Sequence, residues 1–450
     1  MNSAASSRQT KHSPLQGFAA PFRQSRAFPY LWLGHLVSFL GSSVTMVILP
    51  VLVYTLTGST TTMGLVMAAY MLPNVIMLPV SGHIVDRYDR VRIMMLADVA
   101  RFAIMLLTAV LSLTGILNVS LLYVLVAGYG LLDGLFQPAY AAVRATVFTP
   151  DIRVAANSLT QITTQSVRLI GPALGGLLIT HLSAGIGFGL DAFTYLLSLF
   201  CLIYLRKALI TRLQPAAAAR GSAAPDTAEP AESIDANLPV VPASETPAGT
   251  HWKEDFIEGI NVLRGHPWLW ITILAFCFVN ICYSGIISVL LPWLFKVHHG
   301  WPPYIYGLAV TFSGVGAIIA GLLYGLRPKW RHRGILAYGG AMVSGAALLL
   351  LPFAASPAVA IAFFALEGFG LMIFGLIWEI SLQELVPKEA FGRVASLDLF
   401  GSFALLPVGY ILVGWLADLI GGVPTIIIFA GLGLSCVGLV LTVPAIRRFQ

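Results

Sequence analysis

Twelve apolar runs, each long enough to cross a bilayer as a helix, take up most of this 450-residue chain. They cover residues 28–56, 62–82, 92–114, 119–147, 155–181 and 186–205, and then 268–295, 304–326, 334–354, 357–385, 394–418 and 423–445. In chain order they are spans 1 to 12. A crossing helix needs about 20 apolar residues. Lipid offers the backbone no hydrogen-bond partner, so a crossing segment must satisfy its own amides, and an α-helix does so. A membrane β-barrel would show alternating segments of about ten residues, and the long unbroken runs here are of another kind. A soluble domain is about one quarter charged, whereas this chain is 10% charged and 57% hydrophobic, with a mean hydropathy of +0.84. The expected fold is therefore an all-α integral membrane protein with twelve transmembrane helices in two six-helix halves.

The net charge of +6 could suggest nucleic acid as a partner, but the distribution of charge points to a membrane instead. With the N-terminus placed in the cytoplasm, nearly all Lys and Arg fall on the inner side: Arg87, Arg90 and Arg92, Arg153, Arg206 and Lys207, the basic loop at 327–333, Lys388 and Arg393, Arg447 and Arg448. Lys296 falls in an outer loop and Arg168 in mid-span. This positive-inside pattern predicts a multi-pass protein of the cell (plasma) membrane with both termini cytoplasmic. The lipid bilayer and a small-molecule substrate are its expected partners, with no nucleic acid, and a monomer is expected. Residues 1–27 are polar without an apolar core, so no cleavable signal is expected. The four cysteines, Cys201, Cys277, Cys282 and Cys436, fall inside spans, where no disulfide is expected.

The spans divide into halves at 28–206 and 267–446, with tails at 1–27 and 447–450. The joining segment, 207–266, is expected on the cytoplasmic side. Its Ala- and Pro-rich part, 215–250, is too poor in apolar side chains to bury a core and is expected to be disordered. Within 252–266, Trp252, Phe256, Ile260 and Leu263 recur at helical spacing, which predicts an amphipathic helix on the membrane surface, ended by Pro267. "TPDIRVAANSL" after span 4 is echoed by "VPKEAFGRVASL" after span 10. A duplicated helical half is a transporter architecture, with the substrate site between the halves near the midplane.

Five charges crowd the turn "SGHIVDRYDRVR" between spans 2 and 3. Its residues Gly82-His-Ile-Val-Asp86-Arg87-Tyr-Asp-Arg90 resemble the loop signature G-x-x-x-D-R-x-G-R of the major facilitator superfamily, with Asp89 where a glycine is usual. Gly171, Pro172, Gly175 and Gly176 in span 5 resemble the core of its exporter and antiporter motif, with Thr163 and Val167 in the places of upstream glycines. "DFIEGINVLRGHPWL" and "GRVASL" are similar to the subgroup of enterobactin and macrolide exporters. The resemblance implies a latch: Asp86 would accept hydrogen bonds from the N-terminus of span 11, near Arg393, in one conformer, where a carboxylate is favoured. Arg87 and Arg90 would pair with acids nearby, Asp98 and Glu384 being candidates. The other reading of these arginines is a plain positive-inside anchor.

Polar groups inside spans are expensive and usually face a bundle interior or a watery cavity. Span 4 carries Asp133 and Gln137 on one face, and span 5 carries Gln165 and Arg168. Asp133 and Arg168 each lie about 14 residues into their spans, near the midplane at about 1.5 Å per residue. They are expected to meet, either as a proton and substrate site or as a fixed ion pair; the remaining reading is that they do not meet. Glu367 in span 10 is a second proton or substrate candidate, or else a buried hydrogen-bonded acid. His35 reads as a packing residue. Asp191 and Asp418 read as solvated caps near the outer surface. The sequence shows no P-loop, no H-E-x-x-H and no nucleophile elbow, so neither an enzyme nor ATP-driven transport is expected. The expected activity is efflux of an amphipathic small molecule (a drug, macrolide or siderophore-like compound) by alternating access, with a proton gradient as the energy source and no cofactor. A lipid-handling or uptake transporter, or a membrane sensor of the same fold, are the alternatives.

Reporter fusions placed after Lys207 and at Gln450 should both behave as cytoplasmic. An external signal from either fusion would overturn the orientation read from the charges.

Overall fold

The computed structural model describes residues 14–221, 260–326, 330–387 and 390–449. Among them, twelve helices are long and apolar enough to cross a membrane. Spans 1 to 6 are the helices Phe28–Thr57, Thr60–Arg87, Arg90–Leu113, Val119–Val147, Arg153–His181 and Ala184–Gly221. Spans 7 to 12 are Pro267–His298, Pro303–Gly325, Arg333–Phe353, Pro357–Leu385, Arg393–Ile420 and Gly422–Leu441.

Local chemistry sets several of these starts. Ser59, Asn118 and Ser356 sit at the N-caps of spans 2, 4 and 10, and their side chains accept from the N–H groups of Thr62, Leu121 and Val359. Each satisfies one of the amide donors that a helix start leaves free. Proline opens spans 7, 8 and 10, where its missing N–H costs nothing. Span 7 is irregular: the α-helix Pro267–Gly285 gives way to π-helical turns at Ile286–Leu290 and Leu294–His298. Pro292 lies between the two turns and cannot donate to a regular ladder. Span 11 is built from Phe391–Phe403 and Leu406–Ile420, with Pro407 in the first turn of the second piece.

Three expectations change at the edges. The helix of span 6 runs on to Gly221, through residues 215–221 that were expected to be disordered, because alanine is the strongest helix former. Residues 14–24 of the polar tail form a helix, Pro14–Gln24, and Phe22 meets Phe28 and Trp32 edge-on at 5.1 and 5.5 Å. Of the expected amphipathic helix, 260–264 is helical and Leu263 is buried. Trp252 and Phe256, residues 222–250 of the joining segment, and the basic positions at 327–329 and Lys388 lie outside the described residues.

In the first half, span 1 packs against spans 5 and 6, span 2 against span 4, and span 3 against spans 4 and 6. In the second, span 8 packs against span 10, span 9 against spans 10 and 12, and span 7 against spans 11 and 12. Two large crossings join the halves, span 2 on span 11 and span 5 on span 8, with smaller contacts of spans 1 and 2 on span 7 and of span 1 on span 8. The span 2–3 turn shares one face of the bundle with the two chain ends, here the termini face. The span 1–2, 7–8 and 11–12 turns share the opposite face.

The halves are tied from mid-depth to the opposite face. Tyr54 donates to the carbonyl of Val289 (2.6 Å), Thr60 to that of Gly414 (2.7 Å), Lys296 to that of Val51 (2.9 Å) and Thr311 to that of Leu169 (2.8 Å). The N–H of Tyr304 donates to the Thr180 hydroxyl (3.0 Å). Glycines allow these backbones to touch: a Cβ on Gly176 would sit 2.9 Å from the Cα of Tyr304 and 3.2 Å from that of Gly307. Toward the termini face the halves diverge: span 2 packs on the second piece of span 11, Leu406–Ile420, rather than on the first, Phe391–Phe403. Gly321 faces open space.

Gly176→Leu should wedge spans 5 and 8 apart. In a chain without native cysteines, it should abolish cross-linking between cysteines placed at Thr180 and Tyr304. Gly321→Leu, in open space, should leave the cross-link intact.

Candidate functional site

A cavity of about 710 Å³ lies between the halves. Spans 1, 3, 4 and 5 give it a polar wall that includes His35, Ser42, Arg101, Asp133, Gln137, Gln165 and Arg168. Spans 7, 8 and 10 give it a wall dominated by Ile287, Val310, Ile318, Leu371 and Met372. The four polar residues expected from spans 4 and 5 are thus all brought to one cavity.

The expected ion pair does not form. Asp133 lies 3.6 Å from Arg101 and accepts from the Tyr70 hydroxyl at 2.9 Å. Spans 4 and 5, though consecutive in sequence, do not pack on each other. Span 4 packs between spans 2 and 3, while span 5 leaves it to pack on spans 1 and 8. Arg168 points into the cavity from span 5 and meets no acid among the described residues.

Sequence reasoning missed Arg101, the centre of the polar wall. It is 3% exposed and bonds Asp98 at 3.0 Å. Its guanidinium lies over the Phe136 ring at 4.0 Å and near that of Tyr195 at 4.9 Å. A buried cation is tolerable only with such partners, and the stacked rings add attraction. The signal was present as Asp98 and Arg101, an acid and a base one turn apart inside an apolar run. The second oxygen of Asp98 accepts from Ser198 at 2.7 Å, so span 6 is joined to span 3. Beside this cluster, Ser42, Tyr129 and Tyr195 share hydroxyl contacts of 2.6–3.2 Å.

Asp191 corrects another expectation. Read as a solvated cap, it is fully buried and accepts from the Thr45 hydroxyl at 2.6 Å. It lies two turns into span 6 and faces Gly41 of span 1, whose missing side chain makes room for the carboxylate. Glu367 does not line the cavity. It is 3% exposed and accepts from Ser313 at 3.0 Å and Ser344 at 3.5 Å, which matches the buried hydrogen-bonded acid. Ser313 does line the cavity, so Glu367 stands one side chain behind the wall. His35 stacks on Tyr140 at 4.2 Å, as a packing residue would.

The charged turn is arranged differently from the expected latch. Gly82, Asp86 and Arg87 are exposed, and neither Asp86, Arg87 nor Arg90 forms an ion pair among the described residues. Both expected partners are engaged elsewhere, Asp98 with Arg101 and Glu384 with Arg333. Asp89 caps span 3, accepting from the N–H groups of Val91 (2.9 Å) and Arg92 (3.2 Å), and pairs with Arg206 of span 6 at 3.5 Å. That cap explains an acid where a glycine was usual.

A carboxylate on a helix start does join the halves, but on the opposite face. Asp418, at the end of span 11, accepts from the N–H groups of Thr60 and Thr61, both at 2.9 Å, and from the hydroxyls of Ser59 and Thr60 at 2.6 and 2.7 Å. The expected solvated cap is instead the cap of a helix in the other half. A carboxylate there satisfies free amides and complements the helix dipole.

The glycines of the span 5 motif set helix distances. Gly171 faces Ser43 and Gly175 the Val44 carbonyl of span 1, Gly176 faces span 8, and Pro172 lines the cavity. Of the non-glycine positions upstream, Thr163 accepts from the Trp32 indole at 3.0 Å and Val167 is buried. Among the described residues no three His, Cys, Asp or Glu side chains cluster as a metal site would need.

A profile described as Major Facilitator Superfamily matches residues 31–404. An MFS-type transporter of Bacillus subtilis (strain 168), YfiS, is 26% identical over 434 residues, 93% of each chain. The multidrug efflux pump Tap of Mycolicibacterium fortuitum is 25% identical over 390 residues, 85% of this chain and 87% of its own. Among solved structures, a bacterial homologue of the iron transporter ferroportin, in an inward-facing state, superposes with a TM-score of 0.66 at 16% identity. That match covers 92% of this chain and 97% of the other.

Arg101 holds two carboxylates, and removing it leaves the buried Asp98 and the half-buried Asp133 without their cation. Arg101→Leu should therefore lower the thermal midpoint of the detergent-purified protein more than Asp133→Asn does. The loss corresponds to about 3 kcal/mol, whereas Asp133→Asn keeps a partner for Tyr70. Equal midpoints for the two variants would show that Arg101 is not the keystone of this wall.

Proposed function

The chain belongs to the Major Facilitator Superfamily, and from that premise we propose that it is a proton-coupled exporter of an amphipathic small molecule, working by alternating access. The observation that carries the proposal is the cavity between the halves, one wall polar and the other apolar, with the ties between the halves gathered toward the face opposite the termini. The Lys and Arg asymmetry assigns the termini face to the cytoplasm. In this conformer the cavity then loads from inside, and the likeness to a protein named a multidrug efflux pump supports export.

Asp133 is the proton acceptor in this reading. It is the carboxylate exposed on the cavity wall, 19% accessible, and Arg101 and Tyr70 hold it. Protonation removes its charge and weakens its hold on Arg101, which Asp98 keeps. The polar wall thereby changes its charge toward the substrate when a proton arrives. Rocking of one half on the other releases the Asp418 cap on span 2 and closes the termini face. There, the resemblance of the charged turn to its family's signature supplies Asp86 as the counterpart cap for span 11.

Inside-out vesicles under an imposed pH gradient should accumulate at least one member of a panel of amphipathic dyes. Asp133→Asn should lower gradient-driven accumulation at least about tenfold at equal abundance, while Glu367→Gln should lower it less. Full gradient-driven accumulation without Asp133 would remove the proton site from span 4.

A further inference from the structure

One cation of the cavity wall has no acid in contact with it among the described residues. Asp133 and Arg101 face each other at 3.6 Å, and Asp98 bonds Arg101 at 3.0 Å. Arg168 stands apart from that group. It is exposed to the cavity, lies at mid-depth on span 5, and has no acid beside it among the described residues. Gln165, about one turn earlier on the same helix, also lines the cavity and offers an amide donor.

A guanidinium at the membrane midplane is costly unless water or a counter-charge meets it. Among the described residues no acid lies in contact with Arg168; Asp133 lines the same cavity but is held by Arg101 and Tyr70. The wall across the cavity is apolar at Val310, Ile318, Leu371 and Met372. Glu367 is turned away into its own half, bonded to Ser313 and Ser344. The neighbouring turn of span 5 is held in place, since the carbonyl of Leu169 accepts from Thr311 of span 8. The arginine is therefore presented by a fixed helix rather than by a loose side chain on a loop.

We infer that the transported molecule is an amphipathic anion whose carboxylate or sulfonate docks on Arg168 while its apolar body lies against spans 8 and 10. This inference rests on the export reading for the word "transported", but the docking itself does not. Arginine's planar fork suits a two-oxygen anion and binds it through paired, charge-assisted hydrogen bonds. The cavity volume lies in the range of drug-sized ligands, about 300–1,000 Å³. Cationic amphipaths meet a like charge at the same position and are disfavoured.

The test uses three probes and the full chain in nanodiscs of zwitterionic lipid: anilinonaphthalene sulfonate, its uncharged analogue N-phenylnaphthylamine, and the cation ethidium. Equilibrium binding is measured against empty nanodiscs. The sulfonate dye should bind wild type at least about tenfold tighter than Arg168→Gln, the loss of one charge-assisted contact. Arg168→Lys should recover part of that affinity, and N-phenylnaphthylamine should bind all three proteins alike. The proposal falls if the sulfonate dye binds Arg168→Gln as tightly as wild type. It also falls if ethidium outcompetes the sulfonate dye, or if the dye does not bind above empty discs. The exporter reading is separated by a second measurement in proteoliposomes. Binding that depends on Arg168, with no movement of the dye under a pH gradient, overturns export and leaves the anion site standing. Gradient-driven movement of ethidium, indifferent to Arg168, does the reverse.

Discussion

Lipid does not replace a missing hydrogen bond, and a polar group stranded in it costs several kcal/mol. The rest of the molecule follows from that constraint. The backbone closes on itself as twelve helices. The side chains that cannot be apolar then turn inward, where they satisfy one another or meet the water of a cavity. Arg101, Asp98, Ser198, Asp133 and Tyr70 form one such set, drawing spans 2, 3, 4 and 6 together. Thr45 and Asp191 form another, between spans 1 and 6. The first half is held by polar contacts in its interior, whereas the cavity wall of the second half is mostly aliphatic.

Between the halves the rules differ. Their contact is mostly backbone on backbone, made possible where glycine removes the side chain: Gly64 against Tyr410, Gly414 against Thr60, Gly176 against Gly307. The small residues let these backbones approach closely, and hydrogen bonds join them there. Two rigid bundles joined that way can rotate against each other without repacking either interior.

Much of this was legible in the sequence because the signals are long. A run of twenty apolar residues leaves little freedom, and the helix ends fall within a few residues of the runs except where the Ala-rich stretch extends span 6 to Gly221. Asp133, Gln137, Gln165 and Arg168 were legible as cavity residues because a polar stripe in a span has few other places to go. Their partners were not. Which helices touch is decided by tertiary packing, so Asp133 was matched with Arg168 on the next span, while the structure gives it Arg101. Asp191 was misplaced for a related reason. Its position near a span end looked wet, but Gly41 opens a dry niche for it. Asp418 was recognised as a cap without any sign of which helix it caps, because a cap donor 358 residues away leaves no local pattern.

That cap has a consequence for speed. Asp418 gathers four donors at hydrogen-bond distance, yet the residue is exposed at the rim of the bundle. Water can take over each contact as it breaks, so the net cost of release is far below the sum of four bonds in a dry interior. A fastener buried as deeply as Arg101 would hold the gate for long dwell times. A fastener at the wet edge instead lets water replace each contact as it opens, so its release costs less than that of a buried one.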